Sequence, residues 1–170
     1  MEALDPSQTT FQRILFCTDF SENADFAFSF ALDAATRRPG CELDLLHVIP
    51  ESEAQFWKTY IYEVEDVDTK AKRDVDERIE TYRSRLPEHV TLNVEIRVGK
   101  DSQEILTFAR QRKSDLIVMG RQGRGALHKA LFGNVTEKVV RNADCAVLVV
   151  PLSYARRRGD VDGSTRANMD

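Results

Sequence analysis

The sequence has few cysteines and no close pair of them. Cys17, Cys41 and Cys145 are the three thiols, far apart and without a C-x-x-C spacing. That excludes a cysteine-only zinc knuckle and gives no disulfide framework. Reduced thiols in a cytoplasmic protein are the simplest account. No apolar run is long enough to cross a bilayer, and MEALDPSQTTFQR has no charged start followed by an apolar signal core. The expectation is a cytoplasmic protein with no membrane partner. An excess of positive charge is also missing. The 24 Lys and Arg face 28 Asp and Glu, for a formal net charge of -4. A general nucleic-acid binder needs a broad basic face, so nucleic acid is not an expected partner.

What remains is ordinary for a soluble domain. The 170 residues are 42% hydrophobic and 31% charged, enough for one domain with one sizeable core. Short apolar runs alternate with helical stripes. RILFCTD (13–19) reads as a strand buried on both faces. Ser21 can cap a helix carrying Ala24, Ala27, Phe28, Ala31, Leu32 and Ala35 on one face, closed by RRPG. CELDLLHVIP (41–50) is a second strand. In the charged segment from about Glu53 to Leu86, Val64, Val67, Ala71, Val75, Ile79, Tyr82 and Leu86 recur at helical steps, after a stretch holding Phe56, Trp57 and Tyr60. Those aromatics fit a lid or partner surface, and packing against the sheet edge is the plainer reading. VTLNVEIRVG (90–99) alternates strictly, as a strand with one more exposed face does. Asp101 and Glu104 predict a D-x-x-E cap for a helix to about Arg112. DLIVMG (115–120) is strand four. A short helix ending near Asn142 and CAVLVVP (145–151) as strand five complete the pattern.

Strand–helix alternation predicts an α/β fold, a doubly wound five-stranded parallel sheet with helices on both faces. In order 3-2-1-4-5 the winding reverses between strands one and four, where ligands sit. Residues 1–151 are expected to form this domain, and 152–170, polar and without period, a disordered tail.

MGRQGRGALHKALFGN (119–134) is the stretch that carries chemistry. It has four glycines, no acid, and Arg121, Arg124 and Lys129. Neither the Walker A loop nor the dinucleotide fingerprint fits it. Its spacing is Gly120-x2-Gly123-x9-Gly133-Asn134. Gly120 would let a ligand near the end of strand four. Gly123 would allow a positive-φ turn. Gly133 and Asn134 would open a helix whose free N–H groups and dipole favour an anion. The alternative is a plain surface turn.

ILFCTDFSE, LLHVIP and DLIVMGRQGRGALHKALFGNVTEKVVRNADCAVLVVP together resemble the universal stress protein family, over about Phe11 to Pro151. Its ATP-binding members carry G-x2-G-x9-G-[ST], and all three glycines are in register here. The resemblance implies Asp19 at the adenine–ribose side and Val48 meeting adenine through its backbone. It puts Met119 and Gly120 at the ribose and α-phosphate, and Gly123, Gly133, Asn134 and Val135 on the phosphates. Thr18 and Arg124 complete the expected nucleotide set. It also implies a homodimer through the last strand, about Ala146–Val150, a further protein partner of unknown identity, and Mg2+ only as companion of a triphosphate. AMP or ADP are alternatives to ATP. Two departures stand out: Asn134 replaces Ser or Thr, and Cys17 stands where proline is frequent. A packing role for Cys17 is simpler than redox sensing. Asp19 has a purely local alternative, as a helix-start carboxylate. His128 is within sequence reach of a γ-phosphate, but a surface histidine is the plainer reading. His47 and His89 read as structural, and no catalytic or metal-ligating residue is expected.

Three functions therefore compete. The first is a cytoplasmic, ATP-binding, dimeric regulator of a stress response. The second is a scaffold of the same fold that binds no nucleotide, and the third a slow ATPase.

Overall fold

RILFCT cannot stay in water: five of its six residues end up buried, and the strand they form lies at the centre of the sheet. The computed structural model describes residues 10–54, 67–122, 133–155 and 157, with side chains of the 67–122 stretch from Arg73 onward. In chain order the elements are β1 (Arg13–Thr18), α1 (Glu22–Thr36), β2 (Glu42–Pro50) and α2 (Val67–Arg83). They continue with β3 (Leu92–Gly99), α3 (Asp101–Arg112), β4 (Leu116–Gly120), α4 (Asn134–Asn142) and β5 (Ala146–Val150). The sheet is parallel throughout, in the expected order β3-β2-β1-β4-β5. Phe16 is opposite Leu45 on one side and Val118 on the other.

Alternation along β1 feeds two cores. Ile14 and Phe16 join Phe28, Leu43, Leu45, Ile79 and Tyr82 under α1 and α2. Leu15 and Cys17 join Leu46, Ile105, Phe108, Ile117, Met119 and Val139 under α3 and α4. Ser21 caps α1 as expected, its Oγ accepting from Ala24 N–H at 3.3 Å. Alanines at 24, 27, 31 and 35 let α1 lie close to the sheet. The closeness reaches its limit at Gly120, where an added Cβ would stand 2.9 Å from the backbone carbon of Asn23. Gly120 is thus required by packing of α1.

The segment from about Glu53 contributes a short helical turn at 51–54, and α2 spans Val67–Arg83, within the expected helical stretch. Phe56, Trp57 and Tyr60 lie outside the described residues. The D-x-x-E cap does not form. Lys100 is the N-cap of α3 without a side-chain bond, and Asp101 is already helical. Glu104 instead meets Arg97 at 3.5 Å.

That pairing belongs to a polar layer beneath α3. On β3, Leu92 and Val94 pack on the α1–α2 side, and Ile96 and Val98 of the same face stay 42% and 54% exposed. The opposite face carries Asn93, Glu95 and Arg97 toward α3. Arg97 lies over the Phe108 ring at 4.8 Å and reaches Gln111 at 2.7 Å. Asp44, only 2% exposed, receives Arg112 at 2.9 and 3.1 Å and Asn93 at 3.0 Å. A buried carboxylate is tolerable only when paired in this way.

Beyond β5, the polar segment expected from Leu152 onward opens with a helical turn at 152–155. The Tyr154 ring lies 5.9 Å from Phe30 and 6.4 Å from Phe26. Among the described residues no helix is long and apolar enough to cross a membrane.

Arg112→Met tests the tie on buried Asp44. It should lower the free energy of unfolding by about 1–2 kcal/mol, less than for a fully buried pair because Arg112 is 40% exposed and Asn93 still donates. Urea denaturation measures this, and an unchanged midpoint would refute it.

Candidate functional site

β1 hands the chain to α1 on one face of the sheet, and β4 hands it to α4 on the other. The carboxyl ends of these adjacent strands therefore border a crevice. On its β1 side the chain turns sharply. Phe20 has φ 58°, the left-handed region, which a bulky residue enters at a cost of about 1–2 kcal/mol. Several contacts hold it there. Phe20 N–H donates to Thr18 Oγ1 at 2.9 Å, and Ser21 N–H donates to Asp19 Oδ1 at 3.0 Å. The Phe20 ring packs 4.4 Å from the His47 ring. His47 Nδ1 lies 2.9 Å from the Thr18 carbonyl. A carbonyl only accepts, so that nitrogen carries the proton. Asp19 thus fills the local helix-start role, at the end of the central strand beside the crevice.

On the β4 side, two main-chain bonds fix the residues that flank the glycine stretch. Arg121 N–H donates to Val150 O and Gly133 N–H to Arg121 O, both at 3.0 Å. These bring Gly133 back to the end of β4. Gly133 is the N-cap of α4, and no side chain caps it. The first helical bond is from Glu137 N–H to Gly133 O. The N–H groups of Asn134, Val135 and Thr136 therefore precede the helical ladder. Thr136 Oγ1 donates to Gly120 O at 3.1 Å and pins α4 to β4. Arg121 Nε is buried without a hydrogen-bond partner.

A groove of about 730 Å³ opens beside this helix start, between α3, α4 and the ends of β2 and β3. Pro50, Gly99, Asp101, Leu106 and Lys138 help line it. Asn134 and Val135 line it too, whereas Thr18, Asp19, Val48, Met119, Gly120 and Gly133 stand outside its wall. Met119 and Val48 pack in the core beneath α3 and α4. Gly123, Arg124 and His128 lie outside the described residues. Asp101 was missed as part of a site, because its position suggested only a helix cap. Its Oδ1 is buried and unpartnered. Burial pushes its carboxyl above the usual range; His47 pulls it back, and the like charges of Glu53 and Asp19 add to the rise.

Cys17 is a packing residue. It is buried in the core, and burial, with Cys145 adding, pushes its thiol far from the reactive thiolate. Among the described residues no three His, Cys, Asp or Glu side chains are grouped to hold a metal ion.

A sequence model of the universal stress protein family matches residues 10–151. The chain belongs to the universal stress protein family. Universal stress protein MJ0577 of Methanocaldococcus jannaschii is 32% identical over an alignment 157 positions long, which covers 82% of this chain and 94% of that protein. The solved structure of MJ0577 matches with a TM-score of 0.72 at 30% identity, over 84% of this chain and 97% of the other. UspA from Lactobacillus plantarum matches with a TM-score of 0.68 at 28% identity, over 84% and 99%. A family member from Archaeoglobus fulgidus, solved in complex with dAMP, shares the fold at 18% identity and a TM-score of 0.56, over 84% and 99%. The expected family and its doubly wound fold are thus found in this chain.

Asp101 offers a test by pH. Its folded-state pKa is raised, so the native chain keeps this proton longer than the unfolded chain does. The contribution of Asp101 to stability is then most favourable in acid and declines as pH climbs through the carboxylate range. Asp101→Asn should melt higher than the parent at pH 7, with the advantage shrinking toward pH 4. Thermal melts across that range check the sign, and an advantage that grows in acid would contradict it.

Proposed function

We propose that this universal stress protein binds ATP, with AMP or ADP as alternatives, in the crevice between β1 and β4. In this reading it acts in the cytoplasm as a homodimeric regulator of a stress response. One observation carries it: α4 opens at Gly133 and Asn134 with no side-chain cap, at the point where the winding reverses. Main-chain donors and a helix dipole aimed at such a point suit a phosphate group. The residues present fit an anion in a second way, since Arg121 Nε is buried and unpartnered at the start of the same loop. The G-x2-G-x9-G register and the dAMP complex of the Archaeoglobus protein point in the same direction.

The magnitudes suffice. Charge-assisted hydrogen bonds contribute roughly 1.5–3 kcal/mol each, and micromolar affinity needs about 8 kcal/mol. Three or four such bonds reach it. Asn134 in place of Ser or Thr changes one neutral bond, about 1 kcal/mol and less than tenfold in affinity. Mg2+ would accompany a bound triphosphate.

Isothermal titration with ATP tests the reading. Heat of binding with a micromolar to sub-millimolar Kd is expected, and Gly123→Val should abolish it while the fold is kept. No heat at millimolar nucleotide would sink the reading.

Dimerisation is a separate part of the proposal. β5 is an edge strand, and its Leu148 is 38% exposed. An apolar edge invites a second copy. Sedimentation should give a dimer for the parent and a monomer for Leu148→Lys; a monomeric parent would remove this part alone.

A further inference from the structure

Tyr82 entered the sequence reading as one apolar step of a helix. Its ring is indeed core, 2% exposed, with Phe16 and Phe28 at 5.4 and 4.6 Å. Its hydroxyl has another task. It lies 2.9 Å from Thr18 Oγ1 and donates to the Asp25 carboxylate. A phenol has a single proton, so with that proton on Asp25 the Thr18 hydroxyl must donate to Tyr82. Thr18 Oγ1 in turn accepts from Phe20 N–H. The bonds therefore run one way: Phe20 N–H to Thr18, Thr18 to Tyr82, Tyr82 to Asp25. Each donor is polarised by the carboxylate at the end.

The chain is anchored where the backbone is strained. Phe20, at φ 58°, is the residue between Asp19 and the N-cap of α1. A second tie comes from the same helix as Tyr82. Arg78 lies over the Phe20 ring at 5.7 Å and donates to the Phe20 carbonyl at 3.5 Å. Strain of this kind persists only where its surroundings over-determine it, and α2 supplies two of the determinants.

We propose that Tyr82 is a positioning residue for the nucleotide site. Its hydroxyl holds the Thr18–Phe20 turn so that Asp19 keeps its place at the crevice, and α2 thereby responds to whether the crevice is filled. This rests on the reading that Asp19 contacts nucleotide. If α2 biases the turn toward binding, then by linkage nucleotide must tighten α2 to the same extent.

A double-mutant cycle tests it, with ATP titrated into the parent, Tyr82→Phe, Asp19→Asn and the double variant. Tyr82→Phe keeps the ring in the core, and Asp25 is exposed enough to be hydrated when its donor goes. It should weaken ATP binding about five- to tenfold, the effect of one lost hydrogen bond. In the Asp19→Asn background the same change should cost less than twofold. Arg78→Met, an exposed site that cuts the second tie without touching the core, should act in the same Asp19-dependent way. Saturating ATP should slow amide exchange over residues 78–83 in the parent and not in Tyr82→Phe. Unchanged affinity, or an equal loss in both Asp19 backgrounds, overturns the inference and leaves the nucleotide reading standing. A parent that binds no ATP overturns both.

Discussion

Two neighbouring strands send their chains to opposite faces of one sheet. After Thr18 the backbone must climb to α1, and after Gly120 it must descend to α4. Departures to opposite faces leave a seam between the two strand ends. The site proposed for this universal stress protein lies along that seam. Asp19 stands at one lip. The open start of α4 stands at the other, held by Thr136 and by the bonds from Arg121 to Val150 and from Gly133 to Arg121. Without the reversal these would be unrelated turns.

The two lips are held by different physics. The α4 lip is fixed by main-chain and hydroxyl hydrogen bonds to β4. The Asp19 lip is a strained turn, supported by side chains from β2 and α2: His47 beneath Thr18, Tyr82 beside it, Arg78 across Phe20. Each contact is modest. Together they hold a bulky residue in a conformation it would leave if alone.

Much of this was legible in the sequence. Compact apolar runs marked the four strands other than β3 within a residue or two, because each is a short, mostly apolar stretch that ends at a turn-forming or charged residue: Asp19, Pro50, Gly120 or Pro151. Ser21 and the start of α4 were legible through cap and glycine chemistry. β3 was not read as well. Its alternation was seen, but the polar face turned out to lie under α3. Its partners, Asp44, Glu104 and Gln111, are distant in sequence or on the next element, and nothing local announces them. A carboxylate inside ELDLL was the available hint. Asp101 looked like a cap because D-x-x-E is a cap pattern, yet Lys100 took that position. Tyr82 was read for its ring, since periodicity registers an apolar body and is blind to a hydroxyl.

One contact has a mechanical meaning. The first turn of α1 rests directly on the Cα of Gly120, with no room for even a methyl group. Atoms already touching cannot be pressed further, so this helix is a jaw that cannot close. Any narrowing of the cleft around what it holds has to come from the opposite side, where hydrogen bonds can lengthen and bend.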